Sequence, residues 1–175
     1  IQFSPTLKDD MTLSAFVNDL SRNCYFTFDK NDDRYKHYTV KLFQIEESLM
    51  FNMTENPDNA NFNVFVTGTT NMTSTLNAPA FCAKGHYYQL SPVVESSKCN
   101  IVDSSGNPIT ANADDDDTYL GMEQMSGVTV IALERIFYNM QVFNDRLWEV
   151  ADNTNGYGKF IPLAFVKRES IMTDD

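Results

Sequence analysis

No apolar run in the sequence exceeds four residues, as in Val130 to Leu133. A membrane-crossing helix needs about 20 apolar residues, so none is encoded in these 175. Glycine is scarce, with seven residues and no cluster, which excludes a phosphate-cradling loop or a dinucleotide fingerprint. Histidine occurs twice, at His37 and His86, and cysteine three times, at Cys24, Cys82 and Cys99. No CxxC pair exists, so neither a dithiol redox motif nor a zinc ribbon is present. Lys and Arg number 13 against 24 Asp and Glu, a net charge of -11. Phosphate backbones attract clustered Lys and Arg, so nucleic acid is excluded as a partner. Serine-hydrolase elbows and HExxH are also missing. No catalytic residue, metal ligand set or cofactor site is expected; a triad of distant residues would have to use His37 or His86.

Hydrophobic residues make up 42% and aromatics 13%, enough for a packed core and against disorder. The length fits one domain over residues 1–175. The chain begins at Ile1 without a charged n-region and apolar h-region, as a product trimmed of a secretory signal would. An extracellular or secreted setting is therefore expected.

Two helices are expected. Met11, Leu13, Phe16, Val17 and Leu20 recur at spacings of three and four behind Asp10, a helix cap. Val130, Leu133, Phe137 and Met140 form a second stripe, predicting helix over Ala132 to Phe143, although its β-branched start also suits a strand. Elsewhere the period is two. Cys24, Phe26 and Phe28 alternate with polar neighbours, and a polar turn from Asp29 to Asp33 joins them to Tyr35–Glu46 as a hairpin. Strands are expected at Leu49–Met53, Phe62–Val66, Phe81–Ala83, His86–Leu90, Lys98–Val102, Thr118–Met122, Trp148–Val150 and Phe160–Val166, the last with Pro162 as an edge marker. Gly68–Ala78 reads as a loop. The fold class is thus mainly β: a single antiparallel β-barrel or β-sandwich, a short N-terminal helix and one helix in the C-terminal third.

Candidate chemistry is sparse. Asp29, Asn31 and Asp33 begin like a calcium loop, but Arg34 replaces the glycine and Val40 the terminal glutamate, so the match fails. Asp114 to Asp117 read as a solvated acidic loop. Cys82 and Cys99 enclose 16 residues, a loop whose closure by a disulfide would stabilise by roughly 3 kcal/mol; Cys24 is left over. Asn52 and Asn71 head glycosylation sequons, although 17 Asn among 27 Ser and Thr supply about that many by chance. The 13 Phe, 8 Tyr and 8 Met suit either a core or an adaptable apolar pocket.

These features predict a non-catalytic binding module. It would hold a small hydrophobic ligand in its interior, with Phe62, Val64 and Tyr88 facing that ligand, or a protein partner on its loops. The alternative is a structural subunit of an extracellular coat, filament or larger assembly, since oligomerisation would bury the many Asn and Thr and the odd cysteine.

Overall fold

The computed structural model describes residues 3–32, 34–35, 37–62, 66–92, 98–142 and 158–172. The fold is of the mainly β class expected, with antiparallel strands and only short helices. The strands are β1 (Thr12–Val17), β2 (Arg22–Asp32), β3 (Val40–Ile45), β4 (Thr69–Asn71), β5 (Ala80–Lys84), β6 (Tyr119–Glu123), β7 (Thr129–Val142) and β8 (Lys159–Ile171). The chain divides into two compact units. Unit 1 comprises Ile1–Leu49, Asp117–Arg135 and Lys167–Asp175, and unit 2 comprises Met50–Asp116 and Ile136–Val166. The paired strands β7 and β8 each contribute residues to both.

In unit 1 the strand order is β1-β2-β3-β6-β7. The first strand replaces the expected N-terminal helix. Leu13, Ala15 and Val17 also satisfy a period of two, and they pair across to Phe26, Cys24 and Arg22. That ladder buries Leu13 and Val17 and turns Phe16 out to 58% exposure, where a helix would have buried it. A short 3₁₀ turn, Asn18–Leu20, with Ser21 in the left-handed region at φ 52°, returns the chain into β2. The predicted hairpin of β2 and β3 is present, with β2 running on to Asp32 and a register shift between Phe28 and Lys30. Phe26 and Phe43 are buried to 1% and 0%, and Phe28 meets Phe43 edge-on at 5.9 Å. Burying two such rings contributes several kcal/mol. A second cluster collects Val40, Leu42, Tyr119, Val130 and Ile131.

The second expected helix is also a strand. Over Thr129–Val142 the backbone pairs first with β6, where Leu120 faces Ala132, and then with β5, where Ala83 faces Phe137. One ladder holds Thr129–Leu133 and the other Ile136–Met140 of this 14-residue segment, so its β-branched residues prevail over the helical stripe. Phe143 lies outside the described residues.

Unit 2 has the strand order β4-β5-β7. Its core gathers Ala83, Tyr87, Leu90, Phe137 and Phe160. Several segments expected as strands are turns here. Glu47–Met50 and Pro57–Phe62 are 3₁₀ turns: the Leu49 N–H donates to the Glu46 carbonyl in the first, and Asn56 accepts the Asp58 N–H at the start of the second, while Asn52 accepts the Thr54 N–H and bends the chain between them. Phe62 therefore ends a 3₁₀ turn, and residues 63–65, including Val64, lie outside the described residues. Gly85–Tyr87 is another 3₁₀ turn, not the start of a strand. Around Lys98–Val102 the backbone makes only isolated bridges, Lys98 to Phe160 and Val102 to Pro108. The supposed loop Gly68–Ala78 holds β4 and a one-turn helix, α1 (Thr73–Leu76). The Phe160–Val166 strand is present within β8, Pro162 included, while Trp148–Val150 lies outside the described residues.

Candidate binding groove

Unit 1 carries a half-open groove of about 310 Å³. Its walls come from β1, β2, β6, β7 and the end of β8. Apolar lining dominates: Ala15, Val17, Phe26, Leu120, Ala132 and Leu133. The space follows from two small side chains. Ala15 lies across from Cys24 and Ala132 across from Leu120, so the ladders place alanine where a larger residue would fill the gap.

The charged lining residues are Glu134, Arg168 and Glu169. Arg168 on β8 donates through one nitrogen, Nη1, to Asp19 Oδ2 at 2.7 Å and to Glu134 Oε2 at 2.9 Å. Glu134 lines the groove, and its second oxygen, Oε1, is buried with no hydrogen-bond partner among the described residues. Cys24, on the strand beside Ala15, is fully buried. Burial pushes its thiol up to about 11, Arg22 opposing this and the charge of Glu134 adding to it. Arg22 is itself lowered by burial, and it donates to the Leu49 carbonyl at 3.2 Å.

The acidic run is not solvated throughout. Asp114 and Asp115 are exposed, but Asp116 and Asp117 are buried to 1% and 0%. Within unit 2, Asp116 accepts the Asn112 N–H at 2.9 Å and pairs with His86 Nδ1 at 2.5 Å. The segment is a one-turn helix, α2 (Ala113–Asp116), that brings the carboxylate over Gly85. In unit 1, Asp117 accepts from the Gln44 amide and the Thr118 N–H. Burial of these carboxylates is possible because each has donors, which sequence adjacency does not reveal. His86 also stacks against Phe137 and Phe165, at 5.9 and 5.0 Å. Among the described residues no group of His, Cys, Asp and Glu could hold a metal ion.

No disulfide joins Cys82 to Cys99. Cys82 is buried on β5, paired in register with Tyr138 and Thr70. Cys99 instead lines a small cavity of about 200 Å³ with His86 and Tyr87. Tyr87 donates to Asn139 Oδ1 at 2.7 Å and to the Phe160 carbonyl at 3.0 Å, and burial raises the pKa of its phenol.

Neither Phe62 nor Tyr88 lines the groove. Both are half-buried in unit 2, and Tyr88 lies under the Lys84 ammonium, 5.5 Å from the ring centre. The groove residues were missed because no short motif encodes them; the missing bulk at Ala15 and Ala132 shows only once the strands pair.

Comparison with known proteins places the chain in a class of non-catalytic, surface- or membrane-associated binding proteins. The sequence profile of the CD36 family matches residues 1–175, and the chain belongs to that family. No curated protein matches it significantly. No helix among the described residues is long and apolar enough to cross a membrane.

Proposed function

We propose that this chain is an extracellular binding domain whose groove in unit 1 takes the apolar chain of a small amphiphile. The observation that carries this reading is the groove itself: about 310 Å³, lined mainly by apolar side chains, with Glu134, Arg168 and Glu169 as its charged members. That volume sits at the lower end of small-molecule pockets. The burial that drives binding is roughly 25 cal/mol per Å² of apolar surface. Membership of a binding family supports a role without catalysis.

The test is displacement of an environment-sensitive dye, Nile red, by dodecanol. Wild-type protein is expected to bind dodecanol, and Ala132→Leu, which fills the groove, is expected to lose at least about tenfold in affinity. Unchanged affinity in a folded Ala132→Leu protein would refute the groove as the site.

A second reading, a protein partner, is supported by the apolar side chains that β8 leaves in water. Leu163 is 58% exposed and Phe165 38%. Apolar residues of this kind anchor protein interfaces. Leu163→Glu should then abolish partner binding and leave dodecanol binding intact.

A further inference from the structure

We infer that Arg168 is a clasp across the mouth of the unit 1 groove, one that lets go each time a ligand enters or leaves. This rests on the groove reading above and adds how the site opens. The clasp follows from the topology. In unit 1 the strands run β1-β2-β3-β6-β7, and β8 pairs with β7 beyond them, so β1 and β8 are the two ends of the path. Both ends line one groove, with Ala15 to Asn18 from the β1 end and Arg168 to Ser170 from the β8 end. The sheet is therefore curled until its ends face each other, and the groove is the seam between them.

Arg168 stitches that seam. It stands on β8, and its Nη1 donates to Glu134 on the neighbouring β7 and to Asp19, two residues past the end of β1. The side chain thus reaches from one end of the sheet to the other. It lines the groove and is also 57% exposed, which puts it between the groove and solvent. An exposed ion pair is held weakly and is screened by salt. A long, solvated side chain changes rotamer quickly. The bridge therefore opens and recloses without backbone movement, and ligand passes only in the open fraction. Closing over a full or an empty groove alike, it slows entry and exit by one factor and leaves affinity unchanged.

Asp19 is the residue to change, because it anchors the clasp and does not line the groove. Stopped-flow mixing with Nile red, a neutral dye, gives association and dissociation rate constants for wild type and Asp19→Ala. Asp19→Ala is expected to raise both by at least about threefold and to keep the dissociation constant within about twofold. In wild type, raising the ionic strength from about 0.02 to about 0.5 M should raise both rates in the same way, whereas the Asp19→Ala rates should stay flat. The wild-type salt series needs no variant, so it decides the matter if Asp19→Ala does not fold. Rates that ignore salt, or that a folded Asp19→Ala protein leaves unchanged, would overturn the clasp and leave the groove standing. Faster dissociation with unchanged association would do the same, because the bridge would then hold bound dye instead of gating its passage. Absence of saturable dye binding, or binding that a folded Ala132→Leu protein retains in full, would overturn the groove reading itself.

Discussion

His86 Nδ1 lies 2.5 Å from Oδ1 of Asp116, a carboxylate that is 1% exposed although it belongs to a run of four aspartates. The pair fixes an unusual stretch of backbone. His86, Tyr87 and Gln89 all have φ in the left-handed region, at 43°, 62° and 59°. Such residues cost about 1–3 kcal/mol each and persist where neighbours over-determine them. Here the neighbours of His86 are the Asp116 carboxylate and the rings of Phe137 and Phe165.

Removing the carboxylate should therefore be severe. Asp116→Ala leaves the Asn112 N–H and His86 without their acceptor. The expected loss is about 2–4 kcal/mol, read as a lower urea midpoint. Gly85→Ala should act at the same place, because a Cβ there would come within 2.6 Å of Asp116 Oδ1 and 2.9 Å of its Cα. A midpoint unchanged in both variants would show that the pair does not hold this turn.

The core of unit 1 predicts a different loss. Phe43 is completely buried, faces Phe28 in register on β2 and Leu120 on β6, and packs edge-on against the Phe28 ring. Phe43→Ala should cost about 3–5 kcal/mol through lost burial and the cavity left behind. Phe16→Ala, at an exposed position on β1, should cost under about 0.5 kcal/mol. Equal losses in the two variants would contradict the strand assignment of β1.

The acid limb of stability should contain a contribution from Asp32. The Arg34 guanidinium, donating from Nε to Oδ1 and from Nη2 to Oδ2, holds the Asp32 carboxyl below the usual range. A carboxyl lowered in the folded state stabilises above its unfolded value, near 3.9, and that contribution disappears as pH falls through the folded value. Asp32→Asn should thus weaken the protein by up to about 1 kcal/mol at pH 7, since Arg34 is largely solvated. The gap from wild type should close as pH falls through the folded value of Asp32. A gap that widens on acidification would reverse the sign.

Thiol chemistry gives a third reading of burial. Cys24 and Cys82 are fully buried, whereas Cys99 is partly exposed at a cavity. With its thiol pushed up to about 11, Cys24 holds roughly one thiolate in a thousand at pH 8. Iodoacetamide followed by peptide mass spectrometry should label Cys99 first, and Cys24 and Cys82 only on unfolding. Rapid labelling of Cys24 in native protein would contradict its burial on β2.

How much of this was legible in the sequence depended on whether a pattern admitted one reading or two. Cys24, Phe26 and Phe28 alternate with polar residues and fit only a strand, and the β2–β3 hairpin follows. Leu13, Ala15 and Val17, like Val130, Leu133 and Phe137, fit both a period of two and a helical stripe. Pairing with β2, β6 and β5 decided them, and that pairing joins residues far apart in the chain. Asp116 looked solvated because its partner, His86, is 30 residues away. The groove is absent from any motif for the same reason: it is a gap between alanines on strands that meet only after folding.

The two sequons differ in a way that only geometry shows. The Asn52 side-chain nitrogen donates to Glu55 at 2.9 Å and to Thr67 at 3.1 Å, while its carbonyl caps the turn through Thr54 and Glu55. Attaching a glycan to that nitrogen removes one N–H, so it must break one of these bonds. At Asn71 the carbonyl accepts from the Thr73 N–H at 2.9 Å, and the nitrogen donates to no hydrogen-bond partner among the described residues. A glycan there costs no contact. Expressed through a secretory pathway, the protein should carry its glycan at Asn71, and Asn71→Gln should abolish the mobility shift that glycosidase treatment produces. Asn52→Gln should leave that shift in place while lowering the thermal midpoint, by the few degrees that a loss of about 1 kcal/mol represents. Glycan found at Asn52 with undiminished stability would show that the Glu55 and Thr67 bonds contribute nothing to holding this turn.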